Sequence, residues 1–109
     1  MSWPNKVESI ISSGIALHSV GVSNWALSKE QALDALDKFE AEKISVLGGD
    51  VYELNNGEPE SNYDNWYCDR EPDESLENYV ARSISKARAY ISNYSSPNQK
   101  QEMFVLVAE

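Results

Sequence analysis

Cysteine, histidine and long apolar runs are scarce in this chain, whose 109 residues hold one cysteine and one histidine. Because Cys68 has no partner cysteine, the chain cannot form an internal disulfide, and we expect it to reside in the reducing cytoplasm. The longest apolar run, residues 103–108, is about six residues long, whereas a membrane-spanning helix needs about 20. The first residues also lack the charged start and apolar stretch of a secretory signal. We therefore expect no membrane partner.

The usual constellations of catalytic and metal-binding residues are missing as well. A Ser/His/Asp or Cys/His arrangement would have to use His18, the only histidine, and neither Cys68 nor any serine lies in a nucleophile motif. No two His or Cys residues have zinc-site spacing, and no EF-hand loop is present. We therefore predict no catalytic residue, no metal and no cofactor. His18 is interpreted as a surface residue and Cys68 as a packing residue.

Basic residues are also few. Lys and Arg number nine against 18 Asp and Glu, which gives a formal net charge of −9. Nucleic acids and anionic lipids are bound mainly through Lys and Arg, so we expect no nucleic acid as a partner. The excess of negative charge favours a protein with a basic surface instead.

Half of the acids are concentrated in residues 53–77, named here the acidic segment. This segment holds nine acids and a single base, Arg70, for a net charge of −8, whereas the rest of the chain has nine acids and eight bases. The nine acids are Glu53, Glu58, Glu60, Asp64, Asp69, Glu71, Asp73, Glu74 and Glu77. Self-repulsion among them destabilises the fold, and binding to a basic protein would offset that cost.

Three aromatic residues, Tyr63, Trp66 and Tyr67, are interleaved with these acids. A run of acids can be no more than a solvated face, and Trp66 can pack in the core, so both of these interpretations stay open. Aromatic residues among charges are, however, typical anchors of protein interfaces. The acids at 73, 74 and 77 have a local role at a predicted helix start. The predicted partner-binding residues are therefore Glu58, Glu60, Tyr63, Asp64, Trp66, Tyr67, Asp69 and Glu71.

Apolar periodicity predicts three helices. The first covers residues 4–13 and begins at Pro4, and the second covers residues 29–42 after the capping pair Ser28 and Gln31. The third has Asp73 as its N-cap and ends at Ser95-Ser96-Pro97. Its apolar stripe is Leu76, Val80, Ile84, Ala87, Ile91 and Tyr94.

Strand signals lie between and after these helices. Residues 15–24 favour a loop or a short edge strand, and residues 44–54 a strand interrupted by Gly48-Gly49. Asn55-Asn56-Gly57 predicts a turn, with residues 58–61 as an exposed hairpin tip and residues 63–68 as the returning strand. Residues 103–108 predict a central strand buried on both faces. The result is a single α+β domain over residues 1–109, with a small β-sheet of about three strands, including a hairpin, packed against two or three helices.

The sequence Gly48-Gly49-Asp50 has two interpretations. A glycine pair within a strand is typical of a bulge or a close backbone approach, with Asp50 hydrogen-bonded to a backbone or indole N–H. The alternative is a small enzyme or ligand-binding domain with its site around Asp50 and Tyr52.

Three motifs together resemble the immunity protein 40 family of bacterial polymorphic-toxin systems. They are Asn24-Trp25-Ala26-Leu27, Ile44-Ser45-Val46-Leu47-Gly48-Gly49-Asp50-Val51-Tyr52 and Tyr63-Asp64-Asn65-Trp66-Tyr67, in that order. The resemblance covers about residues 20–70 well, and the rest only in general pattern. It implies a small cytoplasmic protein, encoded beside a toxin, that binds the toxin's effector domain and blocks it without catalysis.

Overall fold

The computed structural model describes residues 5–96 and 100–108. Within these ranges the chain forms three α-helices and two small antiparallel sheets, which confirms the α+β class. The helices are α1 (Asn5–Ile11), α2 (Lys29–Ala41) and α3 (Leu76–Asn93), and the strands are β1 (Ile15–Ala16), β2 (Trp25–Ala26), β3 (Val46–Asn55), β4 (Glu58–Tyr67) and β5 (Glu102–Ala108). Over the same residues, no helix has both the length and the apolar character that crossing a membrane requires.

Helix α2 begins and packs as the sequence predicts. The Ser28 hydroxyl accepts a hydrogen bond from the backbone N–H of Gln31, and the Gln31 side chain accepts one from the backbone N–H of Ser28. This reciprocal capping box satisfies two N–H groups that the first turn would otherwise leave free. The buried residues of α2 are Ala32, Ala35, Leu36 and Phe39.

Helix α3 begins later than predicted. Its N-cap is Ser75, whose hydroxyl accepts a hydrogen bond of 3.1 Å from the N–H of Asn78, so the prediction of Asp73 was wrong. Serine is as favourable an N-cap residue as aspartate. The residues before it form a separate turn, in which the Glu74 carboxylate accepts a hydrogen bond from the backbone N–H of Glu71. The helix ends at Asn93, while Pro4 and Pro97 lie outside the described residues.

Strands β3 and β4 form the predicted hairpin, but the turn between them is tighter than expected. Asn56 and Gly57 have φ values of 54° and 82°, which gives a two-residue turn. Because Asn55 already pairs with Glu58, residues 58–61 belong to β4, and their assignment to an exposed tip was wrong. Pro59 is tolerated there because β4 is an edge strand.

The three-stranded sheet has the order β4-β3-β5, so β3 and not β5 is its central strand. The prediction for residues 103–108 was wrong on this point but right on burial, since Met103 to Leu106 are all buried. The outer edge of β5 is covered at Phe104, which exchanges two backbone hydrogen bonds of 2.8 and 2.7 Å with Leu27.

The two faces of this sheet are covered to different extents. Helices α2 and α3 pack on the first face, where Val51 and Phe104 join the main hydrophobic core, and α1 packs against α2. The second face is covered only in part by residues 15–26, which form β1, a 3₁₀ turn at His18–Val20 and β2. These short elements agree with the predicted loop or short edge strand. Near β4 the second face is left open.

A candidate partner-binding surface on the edge strand

Strand β4 holds the middle part of the acidic segment, with the acids Glu58, Glu60 and Asp64, at one edge of the sheet. Among the described residues it pairs only with β3, so its other edge is open. Of the eight predicted partner-binding residues, six lie on β4 and two, Asp69 and Glu71, lie in the connection to α3. All of them except Trp66 are exposed. Seven of the eight residues are thus exposed, five on the edge strand and two just beyond its end.

A bulge divides β4 in the middle. Asn65 pairs with Asp50 and Ser61 pairs with Tyr52, so three residues of β4 stand opposite Val51 alone. Tyr63 is the middle one of these three, with a φ of 70° and a side chain that is 86% exposed. A left-handed conformation costs a bulky residue about 1–2 kcal/mol. The fold therefore holds a strained tyrosine away from its own core.

The residues on either side of Tyr63 are fastened to the end of α3. The Tyr94 hydroxyl donates a hydrogen bond of 2.6 Å to Oδ2 of Asp64 and accepts one of 2.7 Å from the Asn62 amide. Partial burial and the bond to Asp64 raise the pKa of Tyr94 to about 12, so its phenol stays protonated and can donate. The side-chain Oδ1 of Asn62 also accepts a hydrogen bond of 2.9 Å from the backbone N–H of Asp64. These bonds fix the bulge from the helix side of the sheet.

Glu53, the first acid of the acidic segment, lies on the inner side of β3. The residue is only 8% exposed, and its carboxylate accepts a bond of 2.6 Å from the Ser96 hydroxyl. The same Oε2 lies 3.5 Å from the amide nitrogen of Asn62. This acid belongs to the internal hydrogen-bond network and is not available to a partner.

Trp66 lies in the core, in agreement with one of its two interpretations. It is 6% exposed, and its ring stacks on that of Tyr90 in α3 with centroids 4.7 Å apart. The indole N–H is buried, with no hydrogen-bond partner among the described residues. Trp66 is therefore removed from the surface that a partner can contact.

The glycine pair in β3 has a packing role, as the first interpretation of the motif predicts. A Cβ atom on Gly49 would lie 2.3 Å from the Trp66 ring, and one on Gly48 would lie 2.3 Å from the Trp66 carbonyl oxygen. Gly48 also borders an irregularity in the pairing of β3 with β5. Glycine is thus needed at both positions because β4 approaches the β3 backbone closely at Trp66, and position 48 also lies beside the irregular pairing.

Asp50 lies on the opposite face of the sheet from Trp66, because neighbouring residues of a strand point to opposite sides. A hydrogen bond from the Trp66 indole to Asp50, one of the expected roles of this acid, is therefore not formed. Asp50 is exposed, and partial burial raises the pKa of its carboxyl above the usual value. Burial, and then the charge of Asp50, raise the pKa of the Tyr52 hydroxyl.

The connection from β4 to α3 is held mainly by Arg82. Its guanidinium donates to the Glu74 carboxylate at 2.7 and 2.8 Å and to the Asp69 carbonyl oxygen at 2.6 Å. The hydrogen bond from Arg82 lowers the pKa of Glu74 to about 2. The charge of Glu74 is thus paired with Arg82 before the helix begins, and not placed in the first helical turn as predicted, whereas Asp69 and Glu71 remain exposed.

Tyr67 ends β4 as a second exposed aromatic residue. Its side chain is 67% exposed, and the ammonium group of Lys86 lies 5.5 Å from the centre of its ring. This cation–π contact fixes the ring at the end of the acidic edge. It also places one base of α3 beside that edge.

The remaining candidates for chemistry are dispersed. Cys68 is buried, and exposed His18 packs edge-on against Trp25 with ring centroids 5.7 Å apart. Residues 5–96 and 100–108 contain no group of three or more His, Cys, Asp or Glu side chains that could hold a metal ion. What these residues assemble on β4 is an exposed surface of acids and tyrosines.

Sequence reasoning did not identify the residues that shape this surface from a distance. Tyr94 was assigned only to the apolar stripe of α3, and it lies 30 residues from its partner Asp64. Val20 is not among the predicted site residues, and Tyr52 is predicted only as part of the alternative site with Asp50, although both line a cavity beside Tyr63. No spacing in the sequence relates these positions, because the bulge in β4 brings them together.

Comparison with known proteins supplies one match. The family model described as Immunity protein 40 matches residues 16–108, which include the three-stranded sheet, β2, α2, α3 and the whole acidic segment. No curated protein matches the chain significantly.

Proposed function

The chain belongs to the immunity protein 40 family, and on this premise we propose that it binds the effector domain of a cognate bacterial toxin and neutralises it by masking. The proposed role needs no catalytic group in this chain. The contact surface is the open edge of β4 with the connection that follows it. Its residues are Glu58, Glu60, Tyr63, Asp64, Tyr67, Asp69 and Glu71, all exposed. The proposed setting is the cytoplasm of the cell that makes the toxin.

One observation supports this surface above others, namely the exposure of Tyr63 in a strained conformation among acids. A strained residue persists only when its surroundings hold it, and such residues cluster at functional sites. Tyrosine offers a large contact area at low entropic cost and is enriched among the residues that dominate binding energy. The acids around it would accelerate association with a basic toxin surface and fix its orientation.

Protection of a free sheet edge is a second possible role for some of these residues. Natural proteins place charges, proline and bulges on edge strands to prevent pairing with another chain, and Glu58, Pro59 and the bulge at Tyr63 fit that pattern. Edge protection does not account for Asp69 and Glu71, which lie beyond the end of the strand. The two roles are compatible, but only toxin binding would account for all seven residues of the surface.

The experiment that tests this function uses the toxin domain encoded by the adjacent gene. Cells that express this domain should survive when the chain is coexpressed, and the two purified proteins should form a stable complex. A chain in which Glu58, Glu60 and Asp69 are changed to lysine should protect poorly, while its free energy of unfolding should stay unchanged or rise because repulsion among the acids is relieved. Failure of the unaltered chain both to protect and to bind would overturn the proposal.

A further inference from the structure

Asp50 is an acid that the proposed contact surface does not include. It lies in the middle of the central strand β3, where it pairs with Asn65 of β4 and with Val105 of β5. Aspartate is rare in strand interiors, because its short polar side chain competes for the hydrogen bonds of the backbone. The Asp50 carboxylate forms no hydrogen bond and no ion pair with residues 5–96 or 100–108. Packing within the fold therefore does not account for this acid.

The surroundings of Asp50 have a covered side and an open side. Because side chains alternate along a strand, Asp50 and Tyr52 both point to the second face of the sheet, away from α3. Towards β5, Val105 is buried on this face in a cluster with Leu17. Towards β4, the paired residue Asn65 is exposed. The carboxylate lies at the border between the two sides, and its partial desolvation raises the pKa of Asp50.

Protection of the sheet from aggregation does not explain this position. Charges with that role belong on edge strands, as Glu58 does on β4, whereas Asp50 is on the central strand. Partial burial without a partner also disfavours the ionised carboxyl, so Asp50 weakens the fold at neutral pH. A cation supplied by another molecule would remove this penalty, because a charge of opposite sign favours the ionised form.

We propose that Asp50 binds a basic side chain of the toxin on the second face, so that the contact surface extends from the edge of β4 across Asn65 to the central strand. The inference rests on the proposed function for the identity of the partner. Lysine and arginine both supply a cation whose N–H groups form charge-assisted bonds with a carboxylate. Tyr52, two residues along on the same face, offers an aromatic ring to the methylene stem of such a side chain.

The variant Asp50→Asn tests this contact, because it removes the charge and keeps the shape of the side chain. It should weaken the toxin complex by at least about 10-fold in titration calorimetry. Its urea midpoint should stay unchanged or rise, since a partly desolvated charge is lost. The control Asp34→Asn removes an equal charge from an exposed position on α2 and, at physiological salt, should change the affinity by less than about 2-fold. Equal affinities of the two variants, or a lower urea midpoint for Asp50→Asn, would overturn the inference.

A double-mutant cycle identifies the cation and separates this inference from the proposed function. One lysine or arginine of the toxin domain, when changed to alanine, should weaken binding to the unaltered chain by at least about 10-fold and binding to Asp50→Asn by less than about 2-fold. If no basic residue of the toxin shows this coupling, the inference fails while the immunity function stands. If the unaltered chain does not bind the toxin, both the proposed function and the inference fail.

Discussion

Tyr94 and Asp64 are joined by a hydrogen bond of 2.6 Å, in which the phenol at the end of α3 donates to the carboxylate on the β4 bulge. The two residues are 30 positions apart in the sequence. Their bond connects the stable helix layer with the exposed edge that we assign to toxin binding. Preorganisation of this kind lowers the entropic cost of binding, because the bulge need not be ordered when the toxin arrives.

The first prediction concerns this bond. Tyr94→Phe removes the donor to Asp64 and the acceptor for the Asn62 amide, so it should lower the free energy of unfolding by about 1–2 kcal/mol. Urea unfolding measures this change. Tyr67→Phe, at an exposed position on the same strand, is the matched control and should stay within about 0.5 kcal/mol of the unaltered chain. Equal stabilities of the two variants would show that the hydrogen bonds of Tyr94 to Asp64 and Asn62 do not stabilise the bulge.

A second prediction separates stability from binding at Tyr63. Tyr63→Gly relieves a left-handed conformation that glycine adopts freely, so the free energy of unfolding should stay unchanged or rise by up to about 1 kcal/mol. Loss of the exposed ring should weaken the toxin complex by at least about 10-fold. Thermal unfolding and a binding titration test the two parts. A variant that binds the toxin with unchanged affinity would remove Tyr63 from the interface.

A third prediction concerns the close approach at Gly49. A methyl group there would meet the Trp66 ring at 2.3 Å and the Val105 carbonyl oxygen at 2.4 Å, so Gly49→Ala should destabilise the chain by more than about 2 kcal/mol or prevent folding. Gly21→Ala is the control, because that position is open and only its φ of 81° opposes a side chain. Its cost should be about 1 kcal/mol. The packing explanation fails if the two substitutions cost the same.

The fourth prediction concerns pH and the pair of Glu74 and Arg82. The bond from Arg82 lowers the pKa of the Glu74 carboxyl from 4.5 to about 2 in the folded chain. Because the folded value is the lower one, the pair contributes stability above pH 4.5, and this contribution is lost as the pH falls towards 2. Glu74→Gln should therefore reduce the loss of stability over this interval in urea unfolding at stepped pH. A Glu74→Gln profile parallel to that of the unaltered chain would contradict this role of the pair.

Local signals in the sequence were sufficient for α2 and the hairpin turn. Ser28 with Gln31, and Asn56 with Gly57, act through neighbours in the chain, so their spacing predicts their structure. The pairing of Glu58 with Asn55 was missed because a polar, proline-containing stretch does not show strand periodicity. Edge strands are often of this kind, since their composition is adapted to prevent aggregation.

The exposure of the candidate surface was predictable from the sequence, but its shape was not. Charge counting selected the acids, and seven of the eight predicted partner-binding residues are exposed in the structure. The burial of Trp66 was not decided by the sequence, because it depends on the space left by Gly49 and on the Tyr90 ring in α3. The bulge at Tyr63 depends likewise on Tyr94, which no local pattern relates to β4.

The central claim is that the acidic edge of β4 binds the toxin, and two charge-matched variants test it most directly. The β4 variant carries Glu58→Lys, Glu60→Lys and Asp69→Lys. The control variant carries Glu8→Lys, Asp34→Lys and Glu42→Lys. Asp64 is left unchanged because its carboxylate accepts the hydrogen bond from Tyr94. Both variants have the same net charge, so a difference between them reports the location of the charge. The measurement is the association rate with the toxin domain at low and high salt. We predict a drop of at least about 10-fold at low salt, with a weaker salt dependence, for the β4 variant only. Equal association rates for the two variants would contradict the claim.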